Sequence, residues 1–327
     1  MEFTRTLPRW LVHRAAIAEV LLTDAHRRDD DSYHLAAQLP RAHAFYGDTL
    51  GPRTSYDPML LLEVARQGIF VLGHRFFGVP EGYQFILRTV EFDVLDLTAL
   101  APPKDVPTHV VVGCQVERRL RGRTGVTGLV VRYTMVIDDR EAMAVRINYS
   151  WMPPEQWTAV RATRRSTLGL PATPSVPWQE PRIDARLVDR RDPDNAVISP
   201  PRSIENGGQA ATLVVDTSHA TMFDHRLDHV PGMLELEAFR QLALTAAVDS
   251  GVLPTPTALL VGLSARFRSL AELDLSAECR TGPVRPGEEI HCSMHQAGTV
   301  VAEARVRLAD RSRPDLAEAC SPLFARA

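Results

Sequence analysis

Residues 223–241, FDHRLDHVPGMLELEAFRQ, concentrate groups that can move protons and hold charge. Asp224, His225, Asp228 and His229 fall just ahead of a Pro231–Gly232 turn. Imidazole titrates near neutrality and is the usual proton shuttle, so His225 and His229 are candidate catalytic residues. The competing reading is a loop histidine that caps backbone groups. No metal site is read here, because His225 and His229 precede Pro231–Gly232 and need not share a helical face. Glu237 and Arg240 follow at i,i+3 spacing, which sets them one turn apart on one helix face, with Gln241 beside them. A carboxylate there can serve as a general base or orient a hydroxyl, and a guanidinium fork suits phosphate oxygens. Gly232 and Met233 would place backbone N–H groups at a helix start, where the dipole can stabilise an oxyanion. The plainer alternative for Glu237 and Arg240 is an intrahelical ion pair.

The same chemistry occurs twice. DPMLLLEVARQ at 57–67 matches PGMLELEAFRQ at 231–241 with six identities in eleven positions, at a constant offset of 174 (237 minus 63). Glu63, Arg66 and Gln67 thereby join Glu237, Arg240 and Gln241 as candidate site residues. A repeat of this length means two copies of a domain rather than a solenoid. A carboxylate amid Met59, Leu60, Leu61, Leu62 and Val64 is costly unless paired, so its recurrence favours a functional face.

These residues need helices to position them. The pattern predicts helices over 58–77 and 232–250, each apolar nearly all round and therefore buried. Strand patterns precede them at 18–23, 34–39 and 212–216. Others follow at 83–95, 108–118, 128–138 and 142–151, then at 258–267, 275–281, 289–296 and 300–308. The expected class is α+β, with each half a long buried helix wrapped by an antiparallel sheet. The expected domains are 1–152 and 195–327, joined by a linker at 153–194 that is rich in proline (Pro171, Pro174, Pro177, Pro181).

The net charge of −3 gives no bulk attraction to nucleic acid or anionic membrane. No apolar run reaches the ~20 residues a membrane span requires, and MEFTRTLPRW carries no apolar signal segment, so a cytoplasmic protein is expected. Cys114, Cys279, Cys292 and Cys320 form no CxxC pair and read as free thiols. The arginine runs Arg118, Arg119, Arg121, Arg123 and Arg161, Arg164, Arg165 are candidate docking sites for an acidic partner, against a solvated-loop alternative.

The pattern H-x-x-D-H-V-P-G-M-L-x-x-E-A-x-R-Q at 225–241 resembles the helix start of hot-dog hydroxyacyl-ACP dehydratases. A closer resemblance is to the AfsA family, the A-factor (γ-butyrolactone) biosynthesis proteins of actinomycetes. It is carried by LVHRAAIAEVLLTD at 11–24, YDPMLLLEVARQ at 56–67, HRFFGVPEGYQFIL at 74–87 and FDHRLDHVPGMLELEAFRQ at 223–241. The resemblance implies a tandem (double) hot-dog protein. Its activity would be transfer of a β-ketoacyl group from acyl carrier protein, or from acyl-CoA, to the hydroxyl of dihydroxyacetone phosphate, without a cofactor. Glu237, Glu63, His225 and His229 would then be catalytic. Arg240, Arg66, Gln241 and Gln67 would bind substrate phosphate, and the N–H groups of Gly232 and Met233 would form the oxyanion site. The first half has Asp57–Pro58 where the second has Pro231–Gly232, and no histidine in register with His225, so unequal halves are expected. An acyl-ACP thioesterase or dehydratase, and a non-catalytic acyl-ligand sensor or scaffold, are the rival readings.

Overall fold

The computed structural model describes residues 1–51, 54–103, 105–123, 125–175 and 180–311. Its chain forms two compact units, one drawn from 1–47 and 54–160, the other from 48–51 and 161–311.

The N-terminal unit carries β1 (Leu22–Arg27), β2 (Ser32–Leu39), α1 (Pro58–Val71), β3 (Gln84–Val94), β4 (Thr108–Gly122), β5 (Gly125–Ile137) and β6 (Arg140–Met152). Its strands pair antiparallel in the order β1-β2-β4-β5-β6-β3. α1 packs on β1, β2, β3 and β6. Asp57 caps it by accepting the Met59 N–H at 2.9 Å, and Pro58 supplies a preset first-turn φ. Every residue of α1 except Arg66 is buried. Each fully buried leucine on it contributes roughly 1.5–3 kcal/mol. The helix lies so close to its sheet that a Cβ on Gly68 would sit 2.9 Å from Leu35 Cδ1 and 3.1 Å from Tyr133 Cε1. A π-helical turn, Leu72–Phe76, continues α1.

The C-terminal unit holds β7 (Arg202–Ser203), β8 (Gln209–Thr212), α3 (Gly232–Asp249), β9 (Ala258–Phe267), β10 (Ala277–Thr281), β11 (Ile290–Gln296) and β12 (Thr299–Asp310). The antiparallel order is β9-β12-β11-β10-β8-β7, and α3 packs on β8 to β12. Each unit is thus one long buried helix against an antiparallel sheet, as the sequence pattern predicts.

The segment 153–194, expected as a proline-rich linker, carries regular structure before its proline run. It contains α2 (Pro154–Thr167) and a helical turn at Ala185–Val188. Arg161, Arg165 and Arg190 within it are buried. The prolines cluster after α2, and Pro154 stands at its first position, where a missing N–H costs nothing. Pro177 and Cys320 lie outside the described residues. Cys114, Cys279 and Cys292 are free and buried, and burial pushes their thiols up, which leaves them unreactive. Among the described residues no helix is long and apolar enough to cross a membrane.

Candidate active site

Glu63 is buried to 1% exposure inside a ring of donors. Arg14 reaches its Oε1 from Nη2 at 2.7 Å and from Nε at 3.1 Å. Arg66 donates to Oε2 at 2.6 Å and to Oε1 at 2.9 Å, a two-pronged contact. Gln67 donates to Oε1 at 2.9 Å and to the Glu19 carbonyl at 2.7 Å, and its own Oε1 accepts the Leu21 N–H at 2.9 Å. Burial works to raise the Glu63 pKa, but Arg14 and Arg66 overcome it and hold the carboxyl at about 2.

The C-terminal unit repeats this arrangement with the same residue types, a second arginine from outside the helix included. Glu237, at 0% exposure, accepts at Oε1 from Arg190 (2.9 Å), Arg240 (2.9 Å) and Gln241 (2.6 Å), while Arg240 Nη2 also lies 2.8 Å from Oε2. Gln241 donates to the Asn195 carbonyl at 2.8 Å and accepts the Val197 N–H at 2.9 Å. The intrahelical pairs therefore exist, but each is only part of a four-residue cluster. Arg66 and Arg240 are the partly exposed members, with side chains 14% and 13% accessible.

Arg14 and Arg190 were not among the residues singled out from sequence. The signal was present: LVHR at 11–14 recurs as LVDR at 187–190. Its offset is 176 (190 minus 14), two out of step with the helices, so a comparison held at one offset passes over it. The third residue of each segment adopts a left-handed conformation, with φ of 52° at His13 and 57° at Asp189. His43 and His219 form a further duplicated pair at that offset. The Nδ1 of His43 accepts the N–H groups of Phe45 and Tyr46, both at 3.1 Å, and that of His219 accepts those of Thr221 and Met222, both at 3.2 Å. These two histidines cap turns in the loops that support the clusters.

The helix starts differ. α1 is closed by the Asp57 side chain, whereas Pro231 at the head of α3 makes no side-chain cap. Pro231 accepts the N–H groups of Leu234 and Glu235 through its carbonyl. The N–H groups of Gly232 and Met233 meet no acceptor among the described residues. Two donors and the positive end of an 18-residue helix are thus available to an oxyanion.

His229 Nδ1 lies 2.6 Å from Asp228 Oδ1, which fixes the ring with Nδ1 as donor. Arg161 in turn holds Asp228 at 3.1 Å. His225 lies 3.6 Å from Asp224 and its side chain is 39% exposed. Both histidines stand at the approach to α3.

One buried acid has no counterpart in the first half. Glu235, at the position that Leu61 occupies in α1, is 2% exposed, and its Oε2 has no hydrogen-bond partner among the described residues. Burial pushes its carboxyl up to about 8. The two arginine runs also separate. Arg161 and Arg165 are buried on Glu272, with Arg165 also on Asp274, and are structural ion pairs. Arg118, Arg121 and Arg123 remain exposed. Among the described residues no group of three or more metal-binding side chains converges.

The chain thus has a guanidinium-ringed carboxylate in each half and an open helix start in one. The A-factor biosynthesis hotdog domain family matches residues 1–150 and 173–309, and the chain belongs to that family. It is similar to the 2-oxo-3-(phosphooxy)propyl 3-oxoalkanoate synthase of Streptomyces virginiae, with 31% identity across 91% of this chain and 96% of that one. The Streptomyces coelicolor protein of the same name is 32% identical across 90% and 89%. Among solved structures, an acyl-ACP thioesterase from Bacteroides thetaiotaomicron shares the fold at 12% identity and a TM-score of 0.50, covering 85% of this chain and 98% of its own. The dehydratase domain from the CurK module of curacin polyketide synthase does so at 11% and 0.50, covering 90% and 98%.

Proposed function

We propose that this protein is a cytoplasmic acyltransferase that moves a 3-oxoacyl group from an acyl carrier protein thioester to the hydroxyl of dihydroxyacetone phosphate. The product is a phosphorylated 3-oxoester. The observation that carries the reading is the likeness, over nine-tenths of the chain, to relatives named for making that product class. The site chemistry agrees. Arg240 and Arg66, each held by a buried carboxylate but still reachable, are the proposed phosphate-binding residues, steadied by Gln241 and Gln67. The N–H groups of Gly232 and Met233 receive the oxyanion of the tetrahedral adduct.

Glu63 and Glu237 serve differently from the general base that their residue type first suggests. Guanidinium donors approach both oxygens of each carboxylate, and Glu63 is held at about 2, so its conjugate acid is too strong for base catalysis near neutrality. We assign both to holding the arginines. His229, oriented by Asp228, and His225 beside it are the proposed proton-transfer groups at the α3 start. Arg118, Arg121 and Arg123 offer an acidic carrier protein a docking patch.

The test is mass spectrometry of the protein with several 3-oxoacyl carrier proteins, with and without dihydroxyacetone phosphate. The phosphorylated 3-oxoester should form only when both substrates are present. Release of free acid irrespective of dihydroxyacetone phosphate would make the protein a thioesterase, and loss of water in a parallel reaction supplied with 3-hydroxyacyl carrier protein would make it a dehydratase. Acyl binding without any turnover would make it a sensor.

A further inference from the structure

The first turn of α3 differs from that of α1 in two ways at once. In α1 the Asp57 side chain accepts the Met59 N–H, and position 61 is leucine. In α3 no side chain closes the helix start, and the equivalent position is Glu235. Glu235 is 2% exposed, and its Oε2 has no hydrogen-bond partner among the described residues. An unsatisfied buried acid is a standing cost that the fold itself does not require, since leucine fills the same place in the other half.

The geometry aims this acid at the open helix start. Gly232 and Glu235 are three residues apart, so they share one face of the helix, a turn from each other. Helical side chains lean toward the N-terminus and cover the turn before their own Cα. The rise between the two positions is about 4.5 Å, so the Glu235 carboxyl comes back toward the level of the Gly232 and Met233 N–H groups. Those N–H groups meet no acceptor among the described residues.

The surroundings are apolar. Glu235 lies near enough to Cys279 of β10 for its charge to act on that thiol, and the register partners of Cys279, Ala211 on β8 and Met294 on β11, are buried as well. None of the three can neutralise a carboxylate. Burial pushes the Glu235 carboxyl up to about 8, so near neutrality it is a neutral acid with one O–H to donate. A donor in an apolar setting suits an uncharged acceptor. A ketone oxygen is such an acceptor, and an ionised carboxylate in the same place would repel it.

We infer that the Glu235 carboxyl donates its O–H to the 3-oxo oxygen of an acyl chain whose thioester carbonyl sits on the Gly232 and Met233 N–H groups, and so selects 3-oxoacyl donors over plain acyl ones. This rests on the acyl-transfer reading above. The two carbonyls of a 3-oxothioester stand one methylene apart, which matches first-turn N–H groups and a side chain folded back over the same turn. Glu235 touches no reacting bond, so it sets specificity, and the proton-transfer role stays with His225 and His229.

The test compares ester formation from carrier protein loaded with 3-oxooctanoyl or octanoyl groups, in the unmodified protein, Glu235→Leu and Glu235→Gln. The unmodified protein should prefer the 3-oxo donor by about tenfold or more in kcat/KM. Glu235→Leu should reduce that preference to within about threefold, through a higher KM for the 3-oxo donor with kcat little altered, because the contact is made equally before and during transfer. Glu235→Gln, whose amide still donates, should keep most of the preference. A merely structural role would slow both donors alike and leave their ratio unchanged. A leucine variant that retains the preference overturns the inference, as does a glutamine variant that loses it. Calorimetry with the amide analogues of 3-oxooctanoyl- and octanoyl-pantetheine, which bind but cannot transfer, makes the same comparison without turnover. The same ratios are expected in Kd, and equal Kd values in the unmodified protein overturn the inference. If the unmodified protein forms no ester from any 3-oxoacyl donor, the functional reading fails, and the calorimetry still decides the role of Glu235.

Discussion

Replacing Glu235 by leucine, the residue α1 carries at the equivalent position 61, should stabilise the protein in a way that depends steeply on pH. Glu235 is 2% exposed and pushed by burial from 4.5 to about 8. Between those pH values the unfolded chain has released the proton and the folded chain retains it. Each pH unit in that window therefore favours the unfolded state by about 1.4 kcal/mol. The penalty is absent below about 4.5, grows through neutrality and levels off above about 8, where it is on the order of 5 kcal/mol. The leucine variant lacks this penalty, and burial of its side chain adds roughly 1.5–3 kcal/mol. The assay is urea unfolding of both proteins at pH 5.5, 6.5 and 7.5. The stability difference should widen by about 1.2–1.4 kcal/mol per unit, and titrations common to both proteins cancel in it. Parallel stability curves would refute the reasoning, because they would mean that Glu235 is solvated or paired in the folded chain.

Glu63→Gln should have the opposite sign, since it leaves Arg14 buried, and Arg66 partly buried, without their counterion. A loss of about 3–5 kcal/mol in a urea titration at neutral pH is expected. For the same reason the stabilisation from Glu63 is present above about 4.5 and disappears only as pH falls through about 2, so acid unfolding followed by circular dichroism should begin earlier in the glutamine variant. Arg240→Lys keeps the charge but loses the fork, and KM for the phosphorylated acceptor should rise about tenfold with kcat little altered, as measured by initial rates. Gly68→Ala should cost about 1–3 kcal/mol in thermal unfolding, because the new methyl would meet Leu35 at 2.9 Å.

Much of the architecture was legible in the residue pattern because burial writes itself into periodicity. An all-apolar helix of this length can only be a core helix, and alternating strands around it can only be its cover. The repeat exposed Glu63 and Glu237 together. The polar half of each cluster was less visible. Arg14 and Arg190 lie 49 and 47 residues from the carboxylates they grip, and their repeat runs at a different offset from the helices. The stretch 153–194 was read through Pro171, Pro174, Pro177 and Pro181, and the helical run that begins at Pro154 was passed over. Arg161 and Arg165 of α2 looked like surface charge, and only the positions of Glu272 and Asp274 show them to be internal.

Local chemistry by itself determined the two long helices, the four strands after each, the duplication and the residue types available at HVPGMLELEAFRQ. Tertiary structure decided what those residues can do. A carboxylate is a base or an anchor according to the charges around it, and the folding of LVHR and LVDR onto the helices brings each carboxylate its second guanidinium. The contact between His13 and His74, 61 residues apart, was likewise absent from any spacing rule. Long-range juxtaposition of this kind depends on how a left-handed residue and a π-helical turn meet across the core, which local preference along the chain does not encode.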